Sequence, residues 1–165
     1  MKPPEDLKMI APGVWVAPAI LDAVVPAAPV GHSTEGSVLA DDHVMWDHAS
    51  GGNRNDASRQ WTMNDIAEAA ITLDAVKGKK AGVFFDLLLD HPGQLFTSAD
   101  LVAAAPDVFA SAYAVAGSLN GFRKHVDRAG RVYPFHWWEG DSEGTPTRYA
   151  VRPSVAAVFN AARQR

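Results

Sequence analysis

The repeat of apolar residues changes its period in one fixed order from residue 62 onward, and that order constrains the fold more than any other property of the chain. Thr62 followed three residues later by Asp65 has the spacing of a capping box and predicts a helix from Met63. Ile66, Ala69, Ala70 and Leu73 then recur at helical spacing as one stripe, and Lys77-Gly78-Lys79-Lys80 breaks the helix near Val76. A second helix, Ala81 to His91, is expected to bury Val83, Phe84, Leu87 and Leu88 and to stop at His91-Pro92-Gly93. Leu95 and Phe96 form a short strand in this reading. Thr97 or Ser98 caps the next helix, which Leu101 and Val102 anchor before Ala105-Pro106.

The following helix, Ser111 to Arg128, is the most informative. Val115, Leu119, Phe122 and Val126 fall within roughly 60° of one another at about 100° per residue, so they point together into a core. The opposite side collects Tyr113, Gly117, Asn120, Gly121, Lys124 and Arg128. An amide and two cations on one face can reach base edges and phosphates, and glycines there would let a backbone come close. The bland account is helix packing through the glycines and an ordinary solvated surface.

After Ala129-Gly130 the period falls to two. Arg131 to Trp138 reads as a strand with Val132, Pro134, His136 and Trp138 on one side and Tyr133, Phe135 and Trp137 on the other. Trp137 is expected to join Phe135 in the core, with Trp138 partly exposed. Glu139 to Thr145 is the turn and Thr147 to Val151 the returning strand. Pro153 then opens a helix with Val155, Val158, Phe159 and Ala162 inward, which could cover the core or pair with a second copy.

Ala114-Val115-Ala116-Gly117-Ser118-Leu119, the run Arg123-Lys124-His125, Gly130-Arg131, Tyr133-Pro134-Phe135 and Arg148-Tyr149-Ala150-Val151 before Pro153 together resemble a winged helix-turn-helix of a largely uncharacterised actinobacterial type, over residues 60–165. The resemblance implies an α+β fold: a three-helix core, a β-hairpin wing and a C-terminal helix. It implies DNA binding with helix 111–128 in the major groove, Tyr113 and Asn120 toward bases, Arg123, Lys124 and Arg128 toward phosphate, and Arg148 on the wing. The turn departs from that pattern, because Glu139, Asp141 and Glu143 stand where a wing usually offers cations. A protein-binding or dimerisation module built on the same fold is the alternative.

Residues 1–60 are read as an acidic arm or small subdomain, and residues 61–165 as the principal domain. Val14-Trp15-Val16, Ile20 to Val25, Val38-Leu39 and Val44-Met45-Trp46 are short strand-like runs, and Ala49 to Gln60 is the expected linker. Residues 1–75 hold 4 Lys+Arg against 11 Asp+Glu, whereas residues 76–165 hold 11 against 8, so the cations collect where the winged-helix pattern lies. Duplex DNA and a homodimer are the expected partners.

Zero cysteines exclude disulfides and thiolate chemistry and fit a reducing cytoplasm. The apolar run Ala11 to Val30 is interrupted by Pro12, Pro18, Asp22, Pro26 and Pro29, which argues against a membrane span, and the opening Met1-Lys2-Pro3-Pro4-Glu5-Asp6 does not read as a secretory leader. His43 and Asp47, near Asp41, Asp42, His48 and His32, have no third ligand at diagnostic spacing, so a polar turn beside a strand is expected and no metal. Nucleophile-elbow, zinc-protease and phosphate-loop motifs are absent, and neither an enzyme nor a cofactor is expected.

Overall fold

The computed structural model describes Lys8–Ala11, Val14–Val16 and residues 38–52 and 59–165. The chain divides into two compact units, Met1–Ser33 and Thr34–Arg165. The first contains β1 (Lys8–Ala11) paired antiparallel with β2 (Val14–Val16), with a register irregularity between Met9 and Ala11. The Val14–Val16 strand is thus where the β-rich triplet placed it, and Ile20 to Val25 lies outside the described residues.

The second unit is α+β. A 3-10 turn, Met63–Asp65, leads into α1 (Ile66–Val76), followed by α2 (Lys80–Asp90), β3 (Phe96–Thr97), α3 (Ser98–Ala104), α4 (Ala112–Ser118), α5 (Asn120–Ala129), β4 (His136–Trp138), β5 (Arg148–Ala150) and α6 (Pro153–Arg163). The strands form one antiparallel sheet in the order β3-β5-β4. Tyr149 lies opposite both Phe96 and Trp137, which puts β5 in the centre. This layout is compatible with the expected helix, strand, helix, helix, hairpin order.

Local chemistry explains several element ends. Asp65 accepts hydrogen bonds from the Thr62 N–H and hydroxyl, both at 2.8 Å. Thr97 and Asp100 make the reciprocal box at α3: Asp100 accepts from the Thr97 N–H at 2.8 Å and donates its own N–H to the Thr97 hydroxyl at 3.1 Å. After α5, Gly130 adopts the left-handed conformation (φ 61°), and the Arg131 N–H bonds back to the Val126 carbonyl at 2.9 Å, closing the helix.

The core is aromatic. Phe85 stands 5.2 Å from Phe122 and 4.9 Å from Phe159, centroid to centroid, and Phe135 stands 5.0 Å from Phe84 and 5.1 Å from Phe122. Edge-to-face pairs at these distances add to the burial of the rings. Val155, Val158, Phe159 and Ala162 of α6 all point inward, so α6 covers the core of its own chain.

Four expectations need correction. The buried stripe of α1 is Ala69, Thr72 and Val76, with Ile66, Ala70 and Leu73 partly buried; Thr72 goes inside because its hydroxyl donates to the Glu68 carbonyl at 3.1 Å. On α2, Phe85 and Leu89 are fully buried while Val83 and Leu87 are partly buried. The strand expected over 131–138 is limited to His136–Trp138, since the backbone at its start pairs with Arg59, whose carbonyl accepts the Val132 N–H at 3.3 Å, rather than with β5. Val44-Met45-Trp46 is a 3-10 turn, Val44–His48, rather than a strand.

Residues 38–52 lie within the larger unit and clasp the outer edge of β4. The Trp137 carbonyl accepts from Ser50 and Gly51 N–H, and the Trp137 N–H donates to the Gly51 carbonyl. A Cβ on Gly51 would fall inside the Trp137 ring, and Gly52 has φ 84° against the Phe135 carbonyl, so these glycines dock the segment rather than loosen it. Leu39, Trp46, Leu95 and Ala150 make a second small core, and Trp46 is fully buried. Asp41 accepts the Ser154 N–H at 2.7 Å and so caps α6 from a distant part of the chain. The middle of the expected linker, residues 53–58, lies outside the described residues.

Candidate nucleic-acid interface

Ser111 caps α4 by accepting the Ala114 N–H at 3.3 Å. The single helix expected over 111–128 is two, α4 and α5, parted at Leu119, where the Phe122 N–H bonds to Leu119 O and the Leu119 N–H to Ala116 O in the tighter three-residue pattern. The Ser118 hydroxyl turns inward to the Val115 carbonyl at 2.6 Å, beside the break. Leu119 keeps helical angles (φ −59°, ψ −30°), so the angular order of side chains carries across the junction. Val115, Phe122 and Val126 are buried and Leu119 is partly buried, as the spacing requires.

The opposite face is open. Tyr113 is 90% exposed, and Gly117, Asn120, Lys124 and Arg128 are exposed along the same side. Gly121 departs from the expectation: a Cβ there would sit 2.6 Å from the Cβ of Ala81, so this glycine lies against α2 and permits the close crossing of α2 and α5. Arg123 is exposed and 3.8 Å from Asp127, an i,i+4 pair that holds neither side chain firmly. From Tyr113 to Arg128 the stripe runs about 22 Å at the rise of a helix.

Arg148 belongs to β5 and is partly buried, on a different element from the other five site residues. The turn before it is built by acid. Asp141 accepts the Glu143 and Thr145 N–H groups at 2.9 and 3.0 Å and the Thr145 hydroxyl at 2.7 Å, bonds that hold its carboxyl below the usual range. Glu139 and Glu143 face solvent.

Arg131 was not marked by any periodicity, yet its side chain ties the end of α5 to the lead-in and first turn of α1. Its side chain is fully buried, donates to the Gln60 carbonyl at 2.7 Å and to Asp65 at 2.6 Å, also bonds Glu68, and lies 4.7 Å from the Trp61 ring centre. The hydrogen bond from Arg131 holds the Asp65 carboxyl far below its ordinary range. Burial opposes the charge on Arg131, and the two carboxylates more than offset it. A Gly130-Arg131 step after a helix stop was the sole hint.

His136 sits beside the second small core with its ring centre 5.0 Å from that of Trp46, and the Arg152 guanidinium lies over the Trp46 ring at 5.4 Å from its centre. Burial, with the nearby Arg152 charge, lowers its pKa to about 4. Trp138 is partly buried there and donates to the Met45 carbonyl at 3.0 Å, and Trp137 packs against Tyr133 and Phe135 on the other side, so the expected alternation of faces is observed from Phe135 to Trp138, whereas Val132, expected on the side of His136, lies in the main core with Phe135.

Among the described residues no group of three His, Asp or Glu could hold a metal ion. His43 instead accepts the Met45 N–H at 3.1 Å and caps the 3-10 turn, and His32 lies outside the described residues. Among them, too, no helix is long and apolar enough to cross a membrane.

Residues 66–165 match DUF6416, a family of unknown function, and the chain belongs to that family. No curated protein and no solved structure matches the chain.

Proposed function

We propose that residues 61–165 form a winged-helix domain that binds double-stranded DNA, as a transcriptional regulator, with the outer face of α4–α5 in the major groove. In this reading α2, α3 and α4–α5 are the trihelical core, β3 joins the sheet, and β4–β5 is the wing. Tyr113 and Asn120 address base edges; Lys124, Arg128 and Arg123 address phosphates. Arg148 supplies a cation from the hairpin, whose tip stays off the DNA because Glu139 and Glu143 repel phosphate. The observation that carries the reading is the open polar and cationic stripe on a helix pair whose other side is locked into the core.

The test is a titration of duplex affinity against salt. Three phosphate-facing cations predict a slope of log affinity on log salt of about −3 for one copy, and Lys124→Ala lowers its magnitude by about 1. Absence of duplex binding near physiological salt overturns the reading. One observation favours a second reading, a protein-binding module: the solvent-facing Glu139 and Glu143 suit a basic partner surface. That partner would bind without duplex and would lose affinity on Glu139→Lys with Glu143→Lys.

A further inference from the structure

The hairpin tip carries acid where a duplex would need cations, but cations stand on the opposite flank of α5. α5 runs antiparallel to α1. Arg131, just past the end of α5, holds Asp65 and Glu68 at the start of α1, while Gly121, in the first turn of α5, abuts Ala81, just past the end of α1. Residues 77–80, which join α1 to α2, are therefore carried against the first turn of α5, where the open stripe passes through Asn120 and Lys124.

Three lysines stand in that connection, and the fold separates them. Lys77 lines the cavity between α1, α2 and α6 together with Asp74 and Asp86. Lys79 turns the other way. Its Nζ donates to the Ala75 carbonyl at 2.7 Å, and Ala75 falls within about 20° of Glu68 at about 100° per residue, on the side of α1 that meets Arg131 beneath α5. Lys80 is exposed beside Ala81, the residue in contact with Gly121. Among the described residues neither Lys79 nor Lys80 pairs with a carboxylate: Asp86 and Asp90 are held by Arg163, and Asp127 lies beside Arg123.

We infer that Lys79 and Lys80 are a second phosphate anchor for duplex DNA, continuous with Lys124 and Arg128, provided that α4–α5 binds duplex as proposed above. The duplex then leans toward the connection between α1 and α2 and away from the acidic hairpin tip. Ammonium groups on flexible stems suit the phosphate backbone, whereas reading of base edges stays with Tyr113 and Asn120.

The salt titration of duplex affinity resolves this anchor from the helix face. The three cations of α5 alone predict a slope of about −3, and two further phosphate contacts take it to about −5. Lys79→Gln with Lys80→Gln should lower the magnitude by about 2 and weaken binding at least about 10-fold near about 0.1 M salt, to the same extent for every duplex sequence. Glutamine at position 79 keeps an N–H donor for the Ala75 carbonyl. Lys77→Gln, on the α6 side of the same connection, should leave the slope unchanged. A slope unmoved by the paired variant, or moved as far by Lys77→Gln as by Lys80→Gln, overturns the anchor; if Lys124→Ala still lowers that slope by about 1, the reading of α4–α5 stands without it. A chain that binds no duplex overturns both.

Discussion

Arg128 and Arg131 are three residues apart, carry the same group and have opposite surroundings. Arg128 ends the exposed stripe of α5, with no partner among the described residues, whereas Arg131 is fully buried and spends its donors on Gln60, Asp65 and Glu68. Gly130 makes the difference. Its left-handed turn ends the helix, and the next side chain is carried from the solvent face to the interior. A cation in this chain is therefore a binding group or a structural bolt according to where the backbone turns, and charge counts along the sequence mix the two.

The strongest way to break that contrast is to truncate both arginines. Arg131→Ala strands Asp65 and Glu68 together beside Trp61 and should destabilise the domain by about 3 kcal/mol or more in a denaturant titration. A loss below about 1 kcal/mol would reduce the buried cluster to an ordinary surface pair. Acid should act on the same cluster. Because Arg131 lowers the folded pKa of Asp65, the stability it contributes is fully present above the unfolded value, near 4, and is lost as the pH falls below it.

His136 sharpens the comparison, being a basic group buried without a carboxylate partner. Its folded pKa of about 4 lies below the ordinary 6.5, so the unfolded chain binds the proton more readily between those values. Stability should fall by about 3 kcal/mol as the pH drops from 6.5 to 4, and His136→Phe should flatten that part of the curve. An unchanged curve would show that the imidazole is not the group responsible.

A smaller effect belongs to Asp41. Its bond to the Ser154 N–H ties residues 38–52 to α6, and Asp41→Ala should cost about 1 kcal/mol, with faster amide exchange in the first turn of α6. Smallest on stability are Lys124→Ala and Arg128→Ala, within about 0.5 kcal/mol of wild type, because each side chain is solvated. Their effect should appear instead in the salt slope of duplex binding. If either behaves like Arg131→Ala, the two classes of cation are not distinct.

Much of the body was legible from residue spacing. The capping box at Thr62, a cap at Thr97 or Ser98, the stop at Gly130, the inward stripe of α6 and the alternation of Phe135, His136, Trp137 and Trp138 are local rules, and each operates within a few residues. The open face at Tyr113, Asn120, Lys124 and Arg128 followed from the same wheel. What escaped were decisions made by distant partners. Thr72 is polar yet buried, Gly121 lies against Ala81, and Gly51-Gly52 looked like loop punctuation until Trp137 was beside it.

Taken alone, the residue order determined most of the helical segments, several of their caps and stops, and the inward sides of α4–α5 and α6, since those outcomes depend on dihedral preferences and spacing along one strand of chain. Only the tertiary structure decided that residues 38–52 close the sheet edge, that α4 and α5 part at Leu119, and that Arg131 is internal while Arg128 is not. Those outcomes depend on pairing across up to about a hundred residues, where burial and the satisfaction of polar groups outweigh local preference.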